Sequence, residues 1–237
     1  MKTIIRHFVL TSSLTLLFAI PVHATLDVTS GETPEREAFY GDLHLHTKLS
    51  VDAYVMMGTR VDPETSYRFA KGETIDYFGE PVRRDKPLDF MAITDHAENL
   101  GFFIQLENPD SELSKSDFGK MIAQHIAANN GKEALIEVGK YQFEGKPIPG
   151  PDASVVGAST WRYLIDTANK HNAPGEFTTF IGYEWTAMID GANLHRNIIF
   201  KGDDAPLPFT SADSRNPEDL WRYLELNRDK GHEALAI

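Results

Sequence analysis

The sequence predicts an α/β domain with a largely parallel sheet, and three observations predict it. Strand-like and helix-like segments alternate along the chain. Leu88–Ile93 is a short, almost unbroken apolar run, the pattern of a strand buried on both faces. The residues that bear chemistry, His44, His46, His96, Glu184 and His195, fall at or beside the ends of strand-like runs. In α/β folds the strand C-termini are where sites gather.

The first strand is Phe39–Thr47. Side chains alternate along it, so His44 and His46 share a side, roughly 6–7 Å apart, while Leu43 and Leu45 turn to an apolar layer. Asp62-Pro63-Glu64 supplies an N-cap, an N1 proline and an acidic first turn for a helix to Ala70, and Gly72 stops it. Glu73–Arg84 reads as a hairpin-like excursion. Leu88–Ile93 is the second main strand and runs into Thr94-Asp95-His96. Asn99–Gln105 is a glycine-broken helical stretch, and Pro109–Ser116 is a polar loop. Asp117–Asn130 and Lys132–Tyr141 are two helices divided by Gly131. Lys146–Asp152 is a proline-rich loop. Thr160–Lys170 places Trp161, Leu164, Ile165 and Ala168 on one helical face. Phe177–Trp185 is the third strand and Leu194–Phe200 the fourth. Gly191 sits in the turn between them, which makes these two strands neighbours. Asn216-Pro217-Glu218 opens a last helix, closed by Gly231. Ala234–Ile237 begins an apolar strand with too few residues left to pair, so the chain is expected to be the N-terminal part of a longer protein.

The chain carries a formal charge of −12 over 237 residues. That balance argues against nucleic acid, which needs a basic footprint, and against anionic membranes. A small anionic substrate stays open, because a bound metal reverses the local field. Residues 1–24 read as a Sec-type signal peptide: Lys2 and Arg6, an apolar stretch from Phe8 to Ile20, and Val22-His23-Ala24 before cleavage at Thr25. The protein is then exported, periplasmic or secreted, and residues 25–237 form its domain. There is no cysteine. Thiolate metal sites and iron–sulfur clusters are therefore excluded, and any metal is held by imidazole and carboxylate, which suits Zn, Mn or Fe.

Taken alone, His44-Leu45-His46 describes many solvent-facing strands. The rest of the chain changes that reading. His96 follows the second strand, Glu184 ends the third, His195 begins the fourth, and Asp52 lies close enough to fold back to the same rim. Six such donors exceed the needs of one tetrahedral ion and suit two or three divalent metals. Glu184 is the candidate bridge, since a carboxylate can bind two ions. Lys48 and Arg196 are candidate partners for substrate charge. His125, His171 and His232 read as surface or packing residues, and no residue is assigned a catalytic role.

The succession Gly41-Asp42-Leu43-His44-Leu45-His46-Thr47, Ile93-Thr94-Asp95-His96, Gly182-Tyr183-Glu184 and His195 resembles the PHP (polymerase and histidinol phosphatase) superfamily over residues 39–237. With Tyr67–Glu73 it is also similar to a group of secreted bacterial PHP-like proteins of unknown function. The resemblance implies a distorted (β/α)7 barrel, incomplete here, with a trinuclear metal site at its mouth. It implies that His44, His46 and Glu184 hold one ion, that Glu184 and His195 share a second, and that Asp52 and His96 hold a third. Two departures stand out. The family's further His and late Asp-x-His pair do not occur before the chain ends. Asp52 also lies farther from the first motif than the family's acidic residue.

The expected function is a metal-dependent hydrolase, a phosphoesterase using a metal-bound hydroxide on a small-molecule ester. Sulfate-ester or amide hydrolysis on the same scaffold is one alternative, and a non-catalytic exported metal-binding protein is another. Oligomeric state is not legible. Because imidazole must be neutral to ligate, metal occupancy is expected to fall below about pH 6, near the free imidazole pKa.

Overall fold

Two of the expected strands lie side by side at the centre of the sheet. The computed structural model describes residues 37–143 and 146–237. The expected signal peptide lies outside the described residues. The chain divides into two units, Met1–Glu37 and Ala38–Ile237, and the second contains the sheets and helices.

Its main sheet contains β1 (Gly41–Asp42), β4 (Phe90–Ile93), β5 (Thr178–Ile189), β6 (Ala192–Phe200) and β7 (Ala234–Ala236), paired in that order. A separate hairpin joins β2 (Ile75–Tyr77) to β3 (Glu80–Val82). The β1–β4 and β4–β5 ladders are parallel, whereas β5–β6 and β6–β7 are antiparallel. The sheet is thus mixed rather than largely parallel, and among the described residues it does not close into a barrel. The antiparallel half follows from the turn. Asp190 and Gly191 both have positive φ, 50° and 82°, between the paired residues Ile189 and Ala192. That is the two-residue Asp-Gly connection whose twist suits a hairpin. The strands on either side of Gly191 pair as the neighbours expected, and the hairpin arms run longer than expected, to Ile189 and from Ala192.

The sheet divides the chemistry by face. On β5, Ile181, Tyr183, Trp185 and Ala187 share one face; on β6, Ile198 and Phe200 face the same way. They pack with Trp161, Leu164, Ile165 and Ala168 of α5 (Ala153–His171), with Tyr67 and Ala70 of α1 (Pro63–Ala70), and with Leu220 and Leu224 of α6 (Pro217–Arg228). The other face carries Glu184 and Thr186 opposite Asn197 and His195. A second apolar cluster joins α2 (Glu112–Lys115), α3 (Asp117–Ala127) and α4 (Gly131–Phe143) to the turn at Asp52–Met56.

Side-chain caps explain most of the differences from the expected elements. Asp62 accepts from Thr65 N at 2.8 Å and starts α1 as expected. Ser111 accepts from Ser114 N, making a short helix inside the expected polar loop, and Ser116 does the same for α3 through Gly119 N. Asp152 caps α5 through Ser154 N, starting it at Ala153 rather than Thr160. The stretch after Asn99 becomes a 3-10 turn at Phe103–Glu107. The terminal strand does pair. β7 runs along β6, and Asn197 and Ile237 exchange both backbone hydrogen bonds at 2.9 and 3.0 Å.

Asp52–Met56 forms a π-helical turn, in which Met57 N donates to Asp52 O at 3.0 Å. Such turns leave no periodic apolar signature, and they often carry functional residues. The first residue of α4, Gly131, lies directly against it. A Cβ at Gly131 would fall 2.3 Å from Met56 O. Gly131→Ala is therefore expected to lower stability by about 1–3 kcal/mol in urea unfolding, the usual cost of forcing bulk into a packed contact. An unchanged midpoint would mean the two segments part freely.

Candidate metal centre

The cluster forms where four segments meet on the open face of the sheet. The expected strand Phe39–Thr47 is paired as a strand only at Gly41–Asp42, so both histidines lie beyond it. The chain still tracks the sheet, because side chains take over from the ladder. Leu45 N donates to Thr94 Oγ1 at 3.1 Å, and Thr94 N donates back to Leu45 O at 2.8 Å. Thr47 donates its N–H and its hydroxyl to Asp95, at 2.5 and 2.8 Å. This clamp keeps His44 and His46 on one side, ring centroids 5.2 Å apart. His96 follows β4 and bridges to Glu184 in parallel register, with Glu184 N donating to Asp95 O and Ala97 N to Glu184 O. Glu184 does not end its strand. It lies mid-strand in β5, because the hairpin arm continues for five more residues to Ile189.

Glu184 is the hub. It is 2% exposed, and its two oxygens face four imidazoles. Oε1 lies 3.6 Å from His44 Nε2 and 3.1 Å from His195 Nδ1. Oε2 lies 2.9 Å from His46 Nε2 and 3.3 Å from His96 Nδ1. Asp52 closes the far side, with its Oδ1 3.0 Å from His46 Nδ1 and its Oδ2 3.8 Å from His96 Nε2. The donors fall into three groups: His44–His46–Glu184, His46–Asp52–His96 and His96–Glu184–His195. Within each group the ligand atoms lie within 4.8 Å of one another. All six metal candidates named from sequence are brought together.

The other two candidates are not. Lys48 pairs with Glu107 at 3.1 Å. Arg196 alternates with His195 along β6 and so projects from the opposite face, its guanidinium donating to the His195 carbonyl. Three residues were missed from sequence because their roles exist only in the fold. Ser50 donates to Asp52 Oδ1 at 2.6 Å and accepts from His96 N at 3.1 Å. Asp95 is the fully buried clamp on Thr47. Thr186 places its hydroxyl between His96 and His195. Asp95 adjoins the recognised His96, and Thr186 lies two residues past Glu184, the one sequence signal that could have found it.

The electrostatics follow from packing imidazoles and carboxylates together out of water. Burial alone would lower the His46 imidazole, but the Asp52 and Glu184 carboxylates on its two sides outweigh that and raise it to about 10. Burial favours neutral Asp52 and Glu184 too, yet the facing imidazoles hold both below the usual carboxylate range. His96 is lowered to about 4, chiefly by burial. Burial pushes Asp95 up to about 6 against the hydrogen bonds from Thr47.

The donor set fits metal ions. His46 Nε2 and Glu184 Oε2 are sealed from solvent and 2.9 Å apart, yet neither makes an aligned hydrogen bond. Two buried polar atoms this close without an aligned partner are costly, and a cation between them would satisfy both. Imidazole nitrogen and carboxylate oxygen suit Zn, Mn or Fe. The cleft beside the first group, about 370 Å³, is lined by His44, His46, Asp52, Ala53, Met57 and Thr59.

Fold and site together define a mixed α/β domain whose buried His, Asp and Glu groups could hold a metal ion. Residues 33–237 match the family model described as Protein of unknown function (DUF3604), and the chain belongs to that family. No curated protein and no solved structure matches it.

Two outcomes are expected. At neutral pH His46 is protonated, so an entering ion displaces about one proton, and Zn2+ affinity rises about tenfold per pH unit from pH 6 to 8. The flanking Asp52 and Glu184 carboxylates, outweighing burial, thus move the proton competition well above the pH 6 expected of a free imidazole. Isothermal titration in buffers of different ionisation enthalpy measures both quantities, and a flat profile would exclude His46 as a ligand. Glu184→Gln should lose more than one metal per chain by elemental analysis, since Glu184 belongs to two of the three groups.

Proposed function

We propose that this protein is a metal-dependent hydrolase of small phosphate esters, with two or three divalent ions held by His44, His46, Asp52, His96, Glu184 and His195. The observation that carries the reading is the sharing of one buried carboxylate among four imidazoles, beside an open cleft. A carboxylate between neighbouring donor groups is the arrangement that sets two ions close together. When bound, such ions lower the pKa of water toward neutrality and offset charge on phosphoryl oxygens.

The protein's own residues divide the remaining work. His44 is the exposed edge of the cluster, with 58% of its side chain open, so substrate enters on its side. His46 and Glu184 lie beneath it, with 13% and 2% of their side chains exposed. Asp52 is fixed by Ser50 and by the π turn, and it lines the cleft. Lys48 and Arg196 are engaged elsewhere, so the charge of a bound phosphate falls to the metals. The PHP resemblance supports the same chemistry.

The test is turnover of phosphate, sulfate and carboxylic esters by the full chain, with and without a chelator. Chelator-sensitive release of phosphate is expected, restored by Zn2+ or Mn2+. Preference for sulfate or carboxylic esters would transfer the reading to those substrates, and no chelator-sensitive turnover of any of the three would sink it.

A further inference from the structure

One hydroxyl stands among the donors that no metal motif in the sequence names. Thr186 is on the cluster face of β5, directly across the ladder from His195. Its Oγ1 lies 2.9 Å from His96 Nδ1 and 2.9 Å from His195 Nδ1. The same two nitrogens lie 3.3 and 3.1 Å from Glu184 Oε2 and Oε1. His96, Thr186, His195 and the two oxygens of Glu184 therefore form a closed ring of donors, with four contacts between residues of 2.9 to 3.3 Å. For metal–ligand bonds of about 2.0–2.2 Å, neighbouring donors in a tetrahedral or octahedral shell stand about 2.8–3.6 Å apart. All four contacts fall inside that window.

We infer that Thr186 Oγ1 is the fourth donor of the His96–Glu184–His195 position, which rests on reading the cluster as a metal centre. Without a cation the hydroxyl meets both rings only when one imidazole accepts its hydrogen and the other presents an Nδ1–H to its lone pair. A cation takes a lone pair from every member of the ring at once. The placement of the hydroxyl is also secured independently of the histidines. Thr186 N donates to Glu98 Oε2 at 3.2 Å, and Glu98 Oε1 accepts from Ser211 N at 2.8 Å. Glu98 thus ties the backbone at Thr186 to the loop after β6 and leaves the Thr186 hydroxyl facing the rings. The other two groups differ in kind. At His44–His46–Glu184 two donor atoms are orphaned, and at His46–Asp52–His96 the nearby hydroxyl, Ser50, is already donating to Asp52. Among the three groups, the position beside Thr186 is the one with a hydroxyl oxygen within 2.9 Å of two ligand nitrogens.

The test is Co2+ titration of the metal-free full chain, reading bound metal by equilibrium dialysis and the visible ligand-field spectrum. Thr186→Val keeps the shape and removes the hydroxyl, and Thr186→Ser keeps the hydroxyl. The expected result is that T186V binds one ion at least about tenfold more weakly than the wild type. It should also lose one component of the spectrum, while T186S matches the wild type in both. Circular dichroism and urea midpoints check folding, and Thr186→Ala is read on the same scale if T186V does not fold. Unchanged binding in T186V, or equal weakening of every ion, overturns the assignment while leaving the metal centre standing. A wild-type chain that binds no Co2+, Zn2+ or Mn2+ overturns both.

Discussion

The Glu184 carboxylate facing four imidazoles is the interaction on which the rest of the structure depends. A carboxylate this deeply buried costs several kcal/mol unless charge and hydrogen bonds answer it. Everything nearby is arranged to answer it. Two histidines arrive from the segment after β1, one from the end of β4 and one from β6. Glu184 and Asp52, on the two sides of His46, in turn raise its imidazole well above the ordinary range.

That cluster is kept in shape by groups that do not belong to it. Asp95 is buried behind it and grips Thr47 through both backbone and hydroxyl, which fixes the loop bearing His44 and His46. Ser50 joins Asp52 to the backbone of His96. The π turn presents Asp52, and Gly131 allows α4 to press against that turn. On the opposite face, Trp161, Tyr183, Trp185 and Phe200 form the apolar wall that keeps β5 and β6 rigid. A site made of long side chains is only as well placed as the backbone beneath it, and here the backbone is held from both sides.

Much of this was legible in the residues. Alternation in His44-Leu45-His46 put both imidazoles on one side even though the strand itself proved short, because Thr94 and Asp95 replace the missing ladder. Asp62-Pro63 and Asn216-Pro217 announced their helices through cap chemistry that acts within one turn. The errors came where distant pairing decides. The short apolar run Leu88–Ile93 suggested a largely parallel sheet, but the Asp190-Gly191 turn folds β6 back along β5 and makes half the ladders antiparallel. Lys48 and Arg196 were named because they adjoin site residues. Adjacency along a strand places a side chain on the wrong face, which is the fate of Arg196.

By itself, then, the sequence determined the donor types, their grouping into four segments and the absence of thiolate, since these are matters of composition and local period. The tertiary structure alone decided which atoms meet. It turned both nitrogens of His46 toward carboxylates, set Thr186 across from His195, buried Asp95 against Thr47 and sent Arg196 to the other face. The physical reason is that a metal centre depends on ångström-scale distances between residues far apart in the chain, and no local preference encodes such a distance. Strand register and a handful of buried hydrogen bonds do.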